Sequence, residues 1–298
     1  MADFQDSADP IDGDPFAAPV RLARPARHSV PFIFASPHSG RCYPASLLAK
    51  SRLDPLTLRR SEDAYVDELF GGVTALGAPL LAAQFPRAYL DANRGSTELD
   101  RAMFDSPLPV PVDRPGPRVV AGLGVIPRIV RDGAEIYRGK LAGAEAQTRL
   151  TGLYTPYHQA LAALIAETRA RFGIAIVIDC HSMPSALAVP DVVLGDRYGA
   201  SAGAGLTARA EAAFAGAGFS VARNTPYAGG HTTVRYGRVD EGCHVLQIEI
   251  NRALYLDEEH VTKRPGFMIL RARLERVMAE LVALPLSSIG PSLPEAAE

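Results

Sequence analysis

The sequence predicts an α/β protein, a single three-layer domain built on a mixed, mainly parallel central sheet. Three observations carry that prediction. Short runs that are apolar at nearly every position recur, among them residues 174–179 (IAIVID) and 245–250 (VLQIEI), and such runs suit strands buried on both faces of a sheet. Ala- and Leu-rich stretches with helical spacing separate them, and strands alternating with helices are the pattern of parallel sheets. Polar clusters follow the apolar runs, as in open α/β sheets, whose ligands gather outside the carboxyl ends of the strands.

Taken in order, residues 1–25 alternate Asp, Pro and Ala without periodicity and read as a flexible arm. Residues 29–36 (SVPFIFAS) read as a buried strand stopped by Pro37, which leaves His38 at its carboxyl end. Residues 63–76 (DAYVDELFGGVTAL) combine helical spacing with early acidic residues, so a helix is expected with Asp63 near its N-terminus. Residues 79–85 and 87–90 read as extended and lead into Asp91, Asn93 and Arg94. Residues 116–127 are rich in Pro, Gly and Val, an irregular excursion of the kind that forms a lid or a site wall. A long helix over about 140–171, broken at Pro156, precedes the central strand 174–179, after which come Cys180, His181 and Ser182. A second helix over 200–217, strands over 219–223 and 245–250, and a helix over 266–283 complete the series, with residues 286–298 as a loose tail. Neither an internal repeat nor a linker divides residues 26–285, which are read as one domain.

Composition narrows the function. With 31 basic and 33 acidic residues the net charge is −2, so no overall basic field gathers nucleic acid or an anionic membrane. Three cysteines, Cys42, Cys180 and Cys243, form no CxxC pair, which argues against a disulfide framework or a cysteine zinc knuckle and fits a reducing cytoplasm. The opening residues lack the basic start and apolar stretch of a secretory signal, and the apolar runs are far shorter than the ~20 residues that cross a bilayer. A cytoplasmic protein acting on a small molecule is expected, with no nucleic acid and no membrane.

Four polar clusters fall at strand ends: SPHSG at 36–40, DANR at 91–94, DCHS at 179–182 and EINR at 249–252. Catalytic zinc takes about three protein ligands, commonly imidazole nitrogens with a carboxylate, and leaves a position for water. His38 and His181 supply two nitrogens, and Asp63 or its neighbour Glu62 supplies an oxygen. Asp179, two residues before His181 and on the same side of the strand, can orient that imidazole from behind. Glu249 lies between Ile248 and Ile250, where an unpaired carboxylate is costly; a general base or a salt bridge to an arginine would each explain it. Arg87, Arg94, Arg223, Arg235 and Arg252 lie in or beside these segments, and guanidinium grips carboxylates through paired hydrogen bonds, so a small acidic substrate is expected. His231, behind Gly229 and Gly230, can donate to a substrate carbonyl or cap its loop. Ser39 and Ser182 lack the G-x-S-x-G context of a nucleophile, Cys180 lacks cysteine-protease surroundings, and no Walker or dinucleotide glycine loop occurs.

SPHSG at 36–40, SEDAYVDEL at 61–69, RAYLDANR at 87–94, DCHSMPS at 179–185, and GGHTTVRYG at 229–237 followed by HVLQIEINRALYLDE occur in this order. With these motifs the chain resembles the N-formylglutamate amidohydrolase family over about residues 30–275. The resemblance implies a fold related to the zinc carboxypeptidases and hydrolysis of N-formyl-L-glutamate to formate and L-glutamate in histidine degradation. It also implies one Zn2+ per chain, held by His38, His181 and an acidic residue, with Glu249 as catalytic base. Asn93 and Arg94 look like the carboxylate-binding Asn-Arg pair of the carboxypeptidases, and Arg252 or Arg223 would hold a second carboxylate or the developing oxyanion. Carboxypeptidases place their acidic ligand soon after the first histidine, whereas residues 39–50 contain no Asp or Glu; Asp63 is therefore preferred, with Glu62 as the alternative. Rival expectations are a hydrolase of another N-acyl amino acid or a short peptide, and a non-catalytic protein that binds an amino acid through Arg94.

Overall fold

The structure, a computed structural model, describes residues 14–130, 133–185 and 189–285. Seven strands form one sheet: β1 (Val20–Ala23), β2 (Phe32–Ser36), β3 (Leu80–Ala83), β4 (Ala175–Met183), β5 (Val192–Gly195), β6 (Val221–Arg223) and β7 (Cys243–Asn251), in the order β1-β3-β2-β4-β7-β5-β6. The four strands β3, β2, β4 and β7 run parallel through its centre. β1 is antiparallel to β3, β5 is antiparallel to β7, and β6 lies parallel to β5. The sheet is mixed and mainly parallel, as the continuous apolar runs require: β2 and β4 are buried at every residue.

Alternation along the strands divides the core in two. Phe34, Ile176, Ile178, Leu246 and Ile248 face a layer containing helices Ala204–Gly216 and Phe267–Val282. The latter buries Leu270, Leu274, Val277 and Leu281, one stripe at helical spacing. Ile33, Ala35, Ala175, Val177 and Val245 face the opposite layer, where helix Thr155–Phe172 contributes Tyr157, Leu161 and Leu164. A buried Val, Ile or Leu is worth roughly 1.5–3 kcal/mol. The first halves of β4 and β7 therefore anchor these strands and leave their last residues available for other work.

Several expectations need correction. Within the segment expected as an arm, residues 20–23 pair with β3 as an edge strand; residues 1–13, and the whole of the expected tail at 286–298, lie outside the described residues. The helix expected over 63–76 is only Val66–Leu69 followed by a 3-10 turn, Gly71–Thr74. Its start is displaced because Tyr65 takes a left-handed conformation (φ 61°), and Gly71 and Gly72 weaken its continuation. Residues 87–90 are a turn closed on the Pro86 carbonyl, not a strand. The break expected at Pro156 is real but takes the form of a π turn, Leu150–Tyr154, joining helix Gly143–Arg149 to Thr155–Phe172. The missing N–H and bulky ring of proline favour such a widened turn over a regular one.

Candidate metal centre and active site

The site begins where one row of the sheet changes from apolar to polar. On β4 the row runs Ala175, Val177, Asp179, His181; on β7 it runs Cys243, Val245, Gln247, Glu249. The register sets Asp179 beside Gln247 and His181 beside Glu249. His38 follows the end of β2, and its carbonyl accepts the Asp63 backbone N–H at 3.0 Å, which folds the turn at 61–65 over the strand end. The loop after β3 brings in Asp91, Asn93 and Arg94. Together these segments line a cavity of about 490 Å3.

Asp63 is the meeting point. His181 Nδ1 lies 2.8 Å and His38 Nδ1 3.3 Å from the same oxygen, Asp63 Oδ2. The other ring nitrogens face outer carboxylates: His38 Nε2 is 2.7 Å from Asp91 Oδ1, and His181 Nε2 is 3.1 Å from Asp179 Oδ2. When Nε2–H donates outward, each Nδ1 lone pair is turned towards an anionic oxygen, an arrangement that a cation stabilises. The three inner ligand atoms lie within 4.8 Å of one another, and this nitrogen and carboxylate set is one that zinc accepts. His38, Asp63 and His181 thus fit a divalent metal, with Asp91 and Asp179 fixing the imidazole tautomers from behind. The demand for positive charge also governs the titration. Burial disfavours the charged form of His181, yet Asp179 and Asp63 overcome it and hold its pKa well above the ordinary value. Burial likewise opposes ionisation of Asp63, and the two imidazoles hold it well below the usual carboxylate range.

The surrounding polar groups have separate tasks. Arg252 donates from Nη2 to Asp63 Oδ1 at 2.9 Å and from Nε to Ser182 Oγ at 3.2 Å, so it orients Asp63. Arg87 donates from Nε to Asp91 Oδ2 at 3.2 Å and lines the cavity. The Asn93 amide is occupied at both ends: Nδ2 donates to Asp179 Oδ2 at 3.2 Å and lies 3.0 Å from His181 Nε2, and Oδ1 accepts the Thr232 N–H at 2.8 Å. Gly230 is needed beside it, since a Cβ there would come within 2.4 Å of the amide nitrogen. Arg94 lines the cavity, with Nε on the Leu123 carbonyl and Nη1 on the Asn93 carbonyl.

Glu249 is 7% exposed, faces the cavity, and takes its one direct hydrogen bond among the described residues from Gln247 Nε2 at 2.9 Å. No arginine pairs with it there, so the salt-bridge explanation does not hold. Burial pushes its carboxyl up to about 7 against the pull of His181. Glu62 is elsewhere: Tyr43 Oη donates to it at 2.6 Å and Arg59 Nε at 3.3 Å. Arg223 pairs with Glu211 on the exposed side of β6. His231 turns away, its Nε2 3.1 Å from the Tyr154 hydroxyl. The structure therefore brings His38, Asp63, His181, Glu249, Asn93, Arg94 and Arg252 together, and leaves Glu62, Arg223 and His231 outside the cluster. From sequence Asp91 was placed in its polar cluster without a role, and Gln247 was not singled out. Each stands two residues before a chosen residue, Asn93 or Glu249, and for Gln247 the strand period was a usable signal.

A family profile described as N-formylglutamate amidohydrolase matches residues 30–256. Two N-formylglutamate deformylases are similar: one from Pseudomonas aeruginosa, 32% identical over 243 residues (78% of this chain and 85% of that protein), and one from Pseudomonas putida, 29% identical over 269 residues (84% and 93%). The crystal structure of an N-formylglutamate amidohydrolase from Ralstonia eutropha JMP134 is similar with a TM-score of 0.84 and 37% identity, covering 89% of this chain and 98% of that one. The profile match spans the segments that carry every residue of the cluster, and the chain belongs to the N-formylglutamate amidohydrolase family.

Proposed function

We propose that this chain is a metal-dependent amidohydrolase that cleaves N-formyl-L-glutamate to formate and L-glutamate, with one Zn2+ held by His38, Asp63 and His181. The observation that carries the reading is the convergence of both Nδ1 atoms on Asp63 Oδ2, at 3.3 and 2.8 Å, beside the buried Glu249. A zinc ion at such a site polarises an amide carbonyl and makes water a better nucleophile near neutral pH.

The chain's own groups supply the rest. Glu249 takes a proton from the attacking water and passes it to the departing nitrogen as the C–N bond breaks, leaving formate and the free amine of glutamate. Gln247, bonded to Glu249 Oε1 at 2.9 Å, keeps that carboxyl facing the cavity. Arg87 and Arg94 hold the substrate α-carboxylate, and Asn93 positions His181 and Asp179 in place of binding substrate itself. Arg252 serves through Asp63.

Family membership supports a place in histidine degradation, and three cysteines without a paired motif fit the cytoplasm. No helix among the described residues is long and apolar enough to cross a membrane. The test is a metal assay paired with formate release from N-formylglutamate, N-formylaspartate and N-acetylglutamate. About one zinc per chain, and loss of both metal and hydrolysis on chelation, are expected. A chain that binds the amino acid without metal and releases no formate would be a binding protein, and preferential turnover of another acyl amino acid would move the substrate.

A further inference from the structure

The arginines of the cavity fall into two sets. Arg252 and Arg87 are engaged with carboxylates of the cluster, at 2.9 Å from Asp63 Oδ1 and 3.2 Å from Asp91 Oδ2. Arg60, Arg94 and Arg118 are not, and Arg60 gives Nη2 to the Glu259 carbonyl at 3.3 Å. Arg94 gives Nε and Nη1 to backbone carbonyls and comes no nearer than 3.9 Å to a carboxylate, that of Asp91. Arg118 is exposed, lines the same cavity and makes no ion pair among the described residues. One turn joins the two: Leu123 accepts from Arg94 Nε at 3.0 Å and donates its N–H to the Arg118 carbonyl at 2.8 Å.

Guanidinium groups lining one cavity repel each other, and a bound anion relieves that repulsion. Burial, opposed by Asp91 and reinforced by Arg87 and Arg118, lowers the Arg94 pKa. The substrate's own geometry separates its two anionic groups. The α-carboxylate, borne by the carbon next to the scissile nitrogen, is the one assigned above to Arg87 and Arg94. The side-chain carboxylate of glutamate lies two methylene groups farther from the scissile bond and needs a second cation, which the wall carrying Arg118 offers.

We propose that Arg118, beside Arg94, receives the distal carboxylate of the substrate and so makes the enzyme selective for a diacid over the analogue with a neutral side chain. This rests on the N-formylglutamate reading above. Arg118 is the specificity-determining residue because it alone of the five arginines lining the cavity carries neither a carboxylate partner nor a side-chain hydrogen bond among the described residues.

The experiment measures kcat and KM for formate release from N-formylglutamate and N-formylglutamine with the metal-loaded wild type, Arg118→Ala and Arg118→Lys. The wild type prefers N-formylglutamate. Arg118→Ala lowers kcat/KM for the diacid about tenfold more than for the amide, mainly through KM, as loss of one charge-assisted contact predicts; Arg118→Lys recovers part of the preference. Equal losses on both substrates, or an unchanged preference in Arg118→Ala, overturn the inference while leaving the hydrolase reading intact. A wild type that releases formate from neither substrate overturns the hydrolase reading itself.

Discussion

Glu62 and Glu249 are both buried carboxyls pushed up to about 7 by desolvation, yet their surroundings give them different work. Glu62 is held by Tyr43 and Arg59, partners that use its oxygens inside the fold. Glu249 has the Gln247 amide on one oxygen and the cavity before it. Replacing Glu249 with Gln keeps the shape and removes the base, so the variant is expected to retain zinc and lose formate release by about 10²–10⁴-fold. Near-normal turnover would show that the proton goes elsewhere. Asp63→Asn and Glu62→Gln form a matched pair: metal analysis after dialysis is expected to find zinc lost in the first and kept in the second. The opposite result would transfer the ligand role to Glu62.

At the scale of elements, the ends of β2, β4 and β7 present the histidines and Glu249, while helix Thr155–Phe172 steadies the loop that carries Asp91 and Asn93. His158 on that helix reaches the Ala92 carbonyl through Nε2 at 3.0 Å, and its Nδ1 lies 2.9 Å from the Tyr236 hydroxyl. Burial, with Arg235 nearby, lowers its pKa to about 3. A histidine depressed in the folded state leaves stability intact above its unfolded pKa of about 6.5 and removes it as pH falls towards the folded value. Between pH 7 and pH 5 this one group is expected to cost about 2 kcal/mol. Denaturant unfolding at the two pH values checks it: His158→Gln should lose less stability on acidification than the wild type, and parallel losses would refute the assignment. The strands were legible because their apolar runs are local signals. The 63–76 helix was not, because the left-handed Tyr65 and the turn around Asp63 answer to the distant strand end at His38.

Over the whole molecule, the proposed ligands join parts of the chain far apart in sequence: Asp63 lies 25 residues from His38 and 118 from His181. A metal that binds only when these parts are assembled stabilises the folded state by mass action, about 2.7 kcal/mol at a hundredfold excess over Kd. Thermal melts are expected to shift upward with zinc and downward with chelator, and Asp63→Asn should flatten the difference; a wild-type midpoint indifferent to zinc would argue against the site. The amino-acid sequence alone determined the α/β class and placed His38, His181 and Glu249 at strand ends, because the period of a strand and the burial of an apolar run are properties of neighbouring residues. It also carried the family motifs. Only the tertiary structure decided which of two adjacent carboxylates meets the histidines, that Asp91 stands behind His38 from 53 residues away, that Arg252 is tied to Asp63, and that Arg223 and His231 stay outside. Those outcomes are distances between segments remote in sequence, and hydrogen bonds and ion pairs act over a few ångströms of space, whatever the separation along the chain.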